Sequence, residues 1–222
     1  MSGELDFGWL PGAVYTLGRG ALVTMGLIVV VATLGTVLSI AGAAARRSRH
    51  RLLGRTVAGY VELIRNTPFL VQLFFIFFGL PSLGLRLDNV VAAIIAMTLN
   101  MAAYGIEVVR AGLDAVPKGQ WEAGTSLGLK RYRVFVSIVL PQALRVIFPA
   151  LSSQIIIILL ESAVVSQIAV QDLTYEADVL QARTFRAFET YLIVMLIYLG
   201  LATLMRRVML AGATRWVFGG TA

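Results

Sequence analysis

Long apolar runs separated by short polar, arginine-rich segments dominate the chain, and this pattern sets the first expectation. A helix rises about 1.5 Å per residue, so roughly 20 mostly apolar residues suffice to cross a bilayer. Runs of that kind cover Ala21 to Ala45, Val90 to Val109, Val146 to Ile168 and Phe185 to Arg206. A further span is expected at Val57 to Leu80, although Glu62, Arg65 and Asn66 interrupt its first half. The pattern therefore predicts an all-α integral membrane protein with five spans. A separate apolar stretch, Val134 to Leu144, precedes the fourth and is broken by Pro141 and Arg145.

Composition agrees with this expectation, since 58% of the 222 residues are hydrophobic and only 14% are charged. Soluble domains carry about 25% charged residues. The absence of cysteine excludes a disulfide scaffold, a thiolate metal site and a cysteine nucleophile, and a single histidine, His50, excludes His-pair zinc chemistry. The net charge of +7 could suggest nucleic acid, but its distribution follows topology instead. Basic residues in short loops stay on the cytoplasmic side. Arg46, Arg47, Arg49, Arg51 and Arg55 follow the first span, Lys118, Lys130, Arg131 and Arg133 follow the third, and Arg206, Arg207 and Arg215 lie at the end of the fifth. Acids concentrate in the segment after the fourth span, at Asp172, Glu176, Asp178 and Glu189. This alternation places the N-terminus outside and the C-terminus in the cytoplasm, with no need for a nucleic-acid partner. Glu4 and Asp6 precede the first apolar run, so the first span is expected to act as its own insertion signal. No repeat or linker divides residues 1–222, which are expected to form one transmembrane domain. Small residues at Gly35, Ser39 and Gly42, and at Ala92, Ala96 and Asn100, suit close helix packing.

The longest internal loop predicts a short helix over residues 117–128. Pro117 suits a helix start and Gly128 a left-handed C-terminal cap. About ten residues, or about 15 Å, cannot cross a bilayer, so this helix either caps the bundle at the interface or docks into a partner.

Ionisable groups within spans are costly and are functional candidates. Glu62 and Arg65, and Glu107 and Arg110, have one-turn spacing and can neutralise each other locally. Asn100 either bridges helices or holds a polar substrate. Glu161 follows the aliphatic run Ile155 to Leu160 and precedes Ser162, with no basic residue within a turn of its own helix. Its partner is either the substrate or a residue of another chain.

The stretch Gly119, Gln120, Glu122, Ala123, Gly124 and Gly128, followed by Leu140-Pro141-Gln142-Ala143 and Pro149-Ala150, resembles the signature loop of permease subunits of ATP-binding-cassette importers. Arg65-Asn66-Thr67-Pro68, Gln72, Tyr104, Glu107 and Arg110 match the polar amino acid branch in order and spacing. The resemblance implies the type I importer fold in a bacterial inner membrane. It makes the short helix a coupling helix that inserts into a cytoplasmic ATPase dimer. It also implies a second permease subunit, identical or paralogous, and an extracytoplasmic amino-acid-binding protein that docks on external segments such as residues 171–187. The cargo implied is a polar amino acid or a relative such as an opine, with another small polar solute as the alternative. Glycine stands at Gly124 where the family usually has alanine, and Leu160 stands at a position usually lysine, which leaves the carboxylate of Glu161 alone. Glu161, Ser162 and Asn100 are then the expected substrate contacts, within an alternating-access cycle. The chain has no Gly-x-x-x-x-Gly-Lys-Ser/Thr motif, so ATP and magnesium are expected on the partner ATPase and this subunit is not expected to be an enzyme. An intramembrane enzyme lacks candidate dyads here, and a passive channel lacks a ring of charges or a carbonyl filter.

Overall fold

The computed structural model describes residues 7–216, with side chains up to residue 213; Glu4, Asp6 and the side chain of Arg215 lie outside the described residues. Within them the chain is helical throughout. The elements are α1 (Leu10–Arg46), α2 (Arg51–Arg65), α3 (Phe69–Ser82), α4 (Asn89–Asp114), α5 (Lys118–Ser126), α6 (Arg131–Ile168), α7 (Leu173–Thr184) and α8 (Ala187–Trp216). Four of them, α1, α4, α6 and α8, are long and apolar enough to cross a membrane, and the bent α2–α3 pair brings the number to five when it is counted as one broken span.

The break corrects the expected continuous helix over 57–80: α2 and α3 meet at 111°. Pro68 has no N–H to donate and forces Thr67 away from helical geometry, so the helix stops at Arg65 and restarts at Phe69. Carbonyls freed by the break are satisfied by Gln72, whose Nε2 donates to Ile64 O at 2.8 Å and Thr67 O at 2.9 Å. The fourth span also differs from expectation. The stretch 134–144 is its first part, because a π-helical turn at Phe135–Val139 carries the helix into Pro141 instead of ending it. The segment after it holds α7.

Close approach of α1 and α4 organises the bundle. A Cβ placed on Gly35 would lie 2.8 Å from Met101 Sδ; one on Gly42 would overlap Ile106, and one on Gly105 would overlap Ser39. The small positions on α1 thus receive large side chains of α4, and Gly105 receives Ser39 in return. The main core joins Leu27, Ile28 and Val31 to Leu73, Met97, Met101, Ile158 and Leu159. A second core at the α5 end holds Ala43, Val109, Val116, Val134, Val139 and Ile147. At the opposite end Ala13 and Leu17 pack on Leu173, Ala177 and Val194.

Candidate functional site

Four arrangements carry the chemistry: the short helix α5, an ion ladder above it, a polar cleft at the α2–α3 break, and the buried polar groups on α4 and α6.

Helix α5 starts directly after Pro117, and Gly128 ends it at φ +75°, a conformation open to glycine and strained for other residues. Gly128 N–H donates to Thr125 O at 3.0 Å and Leu129 N–H to Gly124 O at 3.2 Å, which closes the C-terminus. One face of α5 is braced. Trp121 stacks on Phe135 at 6.2 Å, and Gln142 Nε2 donates to Gln120 Oε1 at 3.3 Å. Gly124 is buried against the fully buried Val134, and a Cβ there would meet Val134 Cγ2 at 2.8 Å. Among the six residues expected to contact the ATPase, Gly124 therefore faces inward, where a side chain would press on Val134. Gly119, Gln120, Glu122, Ala123 and Gly128 are exposed, together with Ser126 and Leu127, whose side chain is 80% exposed.

Directly above α5, five charged side chains join the ends of α1 and α4. Glu107 takes Arg46 on one carboxylate oxygen and Arg110 on the other, the latter at 2.7 Å. Asp114 takes Arg110 at 3.2 Å and Arg47 at 3.1 Å. The Glu107–Arg110 pair expected from spacing is present, and Arg46 and Arg47 extend it across 61 or more residues of chain. Glu62 and Arg65, in contrast, form no ion pair among the described residues. The Arg65 guanidinium lies over the Tyr104 ring instead, 5.3 Å from its centre. These residues line an open cleft of about 410 Å³ together with Arg46, Asn66 and Glu107.

Asn100 is buried, and its Nδ2 donates to Gln72 Oε1 at 3.0 Å, so it bridges α4 to the restart of the broken span. Its Oδ1 has no hydrogen-bond partner among the described residues, and neither has Oε2 of Glu161. Glu161 sits where α6 passes from α-helix to a 3-10 turn, beside the exposed Leu160. Ser162 is fully buried and donates to Leu159 O at 2.7 Å, which puts its hydroxyl in the core.

Sequence reasoning missed Asp172. It is fully buried, caps α7 by accepting Tyr175 N–H at 2.9 Å, and takes the Tyr198 hydroxyl at 3.4 Å. Leu173 N–H donates to Thr24 Oγ1 at 3.1 Å, which ties the same corner to α1. An Asp immediately before Leu173-Thr174-Tyr175 is a helix-start signal that could have singled it out. Burial pushes the carboxyl from 3.8 to about 6, against the opposing hydrogen bonds from Tyr175 and Thr174. The folded chain therefore binds this proton more tightly than the unfolded chain. Stability from this group is greatest below about pH 4 and falls as pH rises to about 6. Asp172→Asn keeps a capping side chain and removes the titration. The melting temperature of the variant should gain on that of the native chain between pH 4 and 7, by several degrees for a difference on the order of 2–3 kcal/mol. A gap that does not change with pH would reject this assignment.

The described residues form an all-helical bundle of membrane-spanning length and hydropathy, closed at one end by a short braced helix. Residues 35–216 match the family model described as "Binding-protein-dependent transport system inner membrane component", and the chain belongs to that family. It is 40% identical to the L-cystine transport system permease protein of Bacillus subtilis (strain 168), over 75% of this chain and 71% of that one. It is 36% identical to a probable amino-acid ABC transporter permease protein of Sinorhizobium fredii (strain NBRC 101917 / NGR234), over 97% and 94%. A solved amino acid ABC transporter with histidines superposes with a TM-score of 0.89 at 33% identity, covering 96% of this chain and 99% of that one. The inward-facing methionine ABC transporter MetNI shares the fold, with a TM-score of 0.75 at 21% identity over 95% and 99%.

Proposed function

We propose that the chain is the permease subunit of an ATP-driven importer of polar amino acids or close relatives, and that α5 is its coupling helix. The observation that carries this reading is the two-sidedness of α5. Gly119, Glu122, Ala123 and Leu127 are presented outward, while Gly124 and Trp121 hold the other face on α6 and the exposed Gln120 reaches Gln142 from its edge. A rigid knob of this kind converts the closure of a partner into movement of the spans. The amino acid cargo is supported by relatives and by the solved transporter that covers almost the whole chain.

In this reading α5 and the C-terminus lie in the cytoplasm and the N-terminus lies outside, in agreement with the arginine-rich segments. ATP and magnesium bind a cytoplasmic ATPase dimer and not this chain. A second permease subunit, identical or paralogous, completes the pathway, and an extracytoplasmic binding protein delivers the cargo at the α7 end. Residues 1–222 act as one transmembrane domain. Glu161, whose Oε2 is buried without a partner, is the substrate-facing charge, with Asn100 offering its free amide oxygen. Ser162 acts from within the core by shaping the turn that carries Glu161.

The test is uptake into proteoliposomes that hold the permease and ATPase, with binding protein outside and a panel of labelled amino acids. Accumulation should require ATP and binding protein together. Accumulation without the ATPase, or of no amino acid in the panel, would reject the reading. In the same assay Glu161→Gln should reduce uptake of cationic and zwitterionic substrates at least about tenfold, since a charged hydrogen bond contributes about 1.5–3 kcal/mol, and should spare anionic ones. Equal effects on all classes would make this carboxylate structural.

A further inference from the structure

The cleft at the α2–α3 break is lined by two acids, Glu62 and Glu107, and two bases, Arg46 and Arg65, so its formal charge is zero. The two pairs are not equivalent. Glu107 already receives Arg46 and Arg110 on its two oxygens, and Arg46 is spent on Glu107. Glu62 and Arg65 remain without an ion-pair partner among the described residues, although they stand one turn apart on α2. The Arg65 guanidinium lies over the Tyr104 ring, 5.3 Å from its centre, and not on Glu62. Asn66 Nδ2 is tied to Glu62 O at 2.7 Å, which leaves the amide oxygen as an acceptor beside the same opening. A neutral cleft with one carboxylate outside any ion pair and one guanidinium that rests on a ring and feels Glu107 only through space is complementary to a small molecule that carries both charges. It would match a simple anion or cation at only one end. Its volume, about 410 Å³, falls within the range of small-molecule sites.

We propose that this cleft is a second amino acid site, at the α5 end of the permease. There Arg65 takes the α-carboxylate and Glu62, with the Asn66 oxygen, takes the α-ammonium of the cargo before release. The proposal rests on the amino acid permease reading and extends it. Recognition at this site uses the groups common to all α-amino acids, whereas Glu161 senses the charge of the whole molecule. The two sites would thus divide recognition, with the cleft indifferent to side chain.

The experiment uses the intact permease–ATPase complex in nanodiscs without nucleotide or binding protein. Equilibrium dialysis measures L-glutamine and L-arginine, each against its α-amide, which lacks the carboxylate. Wild type should prefer each amino acid over its amide at least tenfold. Arg65→Gln should bring that ratio close to one by weakening the amino acid and not the amide, and Arg65→Lys should retain most of it. Glu62→Gln should do the same for the ratio between each amino acid and its deaminated analogue. An unchanged amide ratio in Arg65→Gln would overturn the site, as would failure of wild type to bind either amino acid. If the variants lose permease pairing by native mass measurement while the ratio is unchanged, the charges serve a subunit interface and the proposal fails. ATP-driven uptake by the same wild-type complex separates the two readings. Its presence with unchanged ratios overturns the cleft alone, and its absence for every amino acid overturns the permease reading.

Discussion

Glu122→Lys should abolish substrate-stimulated ATP hydrolysis and ATP-driven uptake by the reconstituted complex, with a loss of more than tenfold, and leave the membrane bundle folded. Glu122 is exposed on the outer face of α5, so reversing its charge disturbs no packing within the chain. Exposed substitutions of this kind change stability by about 0.5 kcal/mol or less. Reversing a charge that the partner surface is built to oppose, in contrast, costs several kcal/mol of association. The inner face provides the control. Gly124→Val adds bulk where even a single Cβ would meet Val134 Cγ2 at 2.8 Å, and should lower the melting temperature because Val134 has no free space to move into. Gly128→Pro should disrupt both stability and coupling, since proline cannot adopt φ +75° and loses the N–H that bonds Thr125 O. Stimulation that survives Glu122→Lys unchanged would remove the coupling role of this face.

The parts of this molecule legible in the sequence are those set by local pattern. Apolar runs locate α1 and α4 because lipid demands length and hydrophobicity from each helix by itself. Pro117 and Gly128 frame α5 because each restricts its own backbone. What the chain does between helices is less legible. The i, i+3 spacing treats Glu62–Arg65 and Glu107–Arg110 alike, yet one pair forms and in the other Arg65 lies on the ring of Tyr104, 39 residues further along the chain. Arg46 was countable as a topogenic charge, but nothing local shows that it ends on Glu107. The interruption expected in the second span rests on Glu62, Arg65 and Asn66, and Pro68, the residue that breaks the helix, carries a stop signal of its own that the span count does not use. The resemblance makes Ser162 a substrate contact beside Glu161, whereas the 3-10 turn sends its hydroxyl back to Leu159 O.

Gly105→Ala should be strongly damaging within the spans, and Ser39→Gly should largely repair it. Gly105 and Ser39 face each other where α4 and α1 come closest. A methyl group at 105 would overlap Ser39 Oγ, lie 2.8 Å from its Cβ and reach Leu151 at 3.5 Å. Rotating the Ser39 hydroxyl away does not solve the clash, because the Cβ stays too near and Oγ would give up its 2.6 Å bond to Gly35 O. The helices must separate, which loosens Met101 against Gly35 and Ile106 against Gly42 on either side. Overpacking of this kind costs about 1–3 kcal/mol, or a fall of several degrees in melting temperature for a chain of this size. The same separation would stretch Arg46–Glu107, two residues further along α4, so uptake should fall along with stability. In Gly105→Ala combined with Ser39→Gly the methyl group occupies the space of the missing side chain. Most of the lost stability should return even though Ser39→Gly alone destabilises a helix interior by about 0.5–1 kcal/mol relative to alanine. If the double variant melts no higher than Gly105→Ala, the approach of α1 and α4 is not limited by this contact, and the bundle must be held in register by the neighbouring glycines instead.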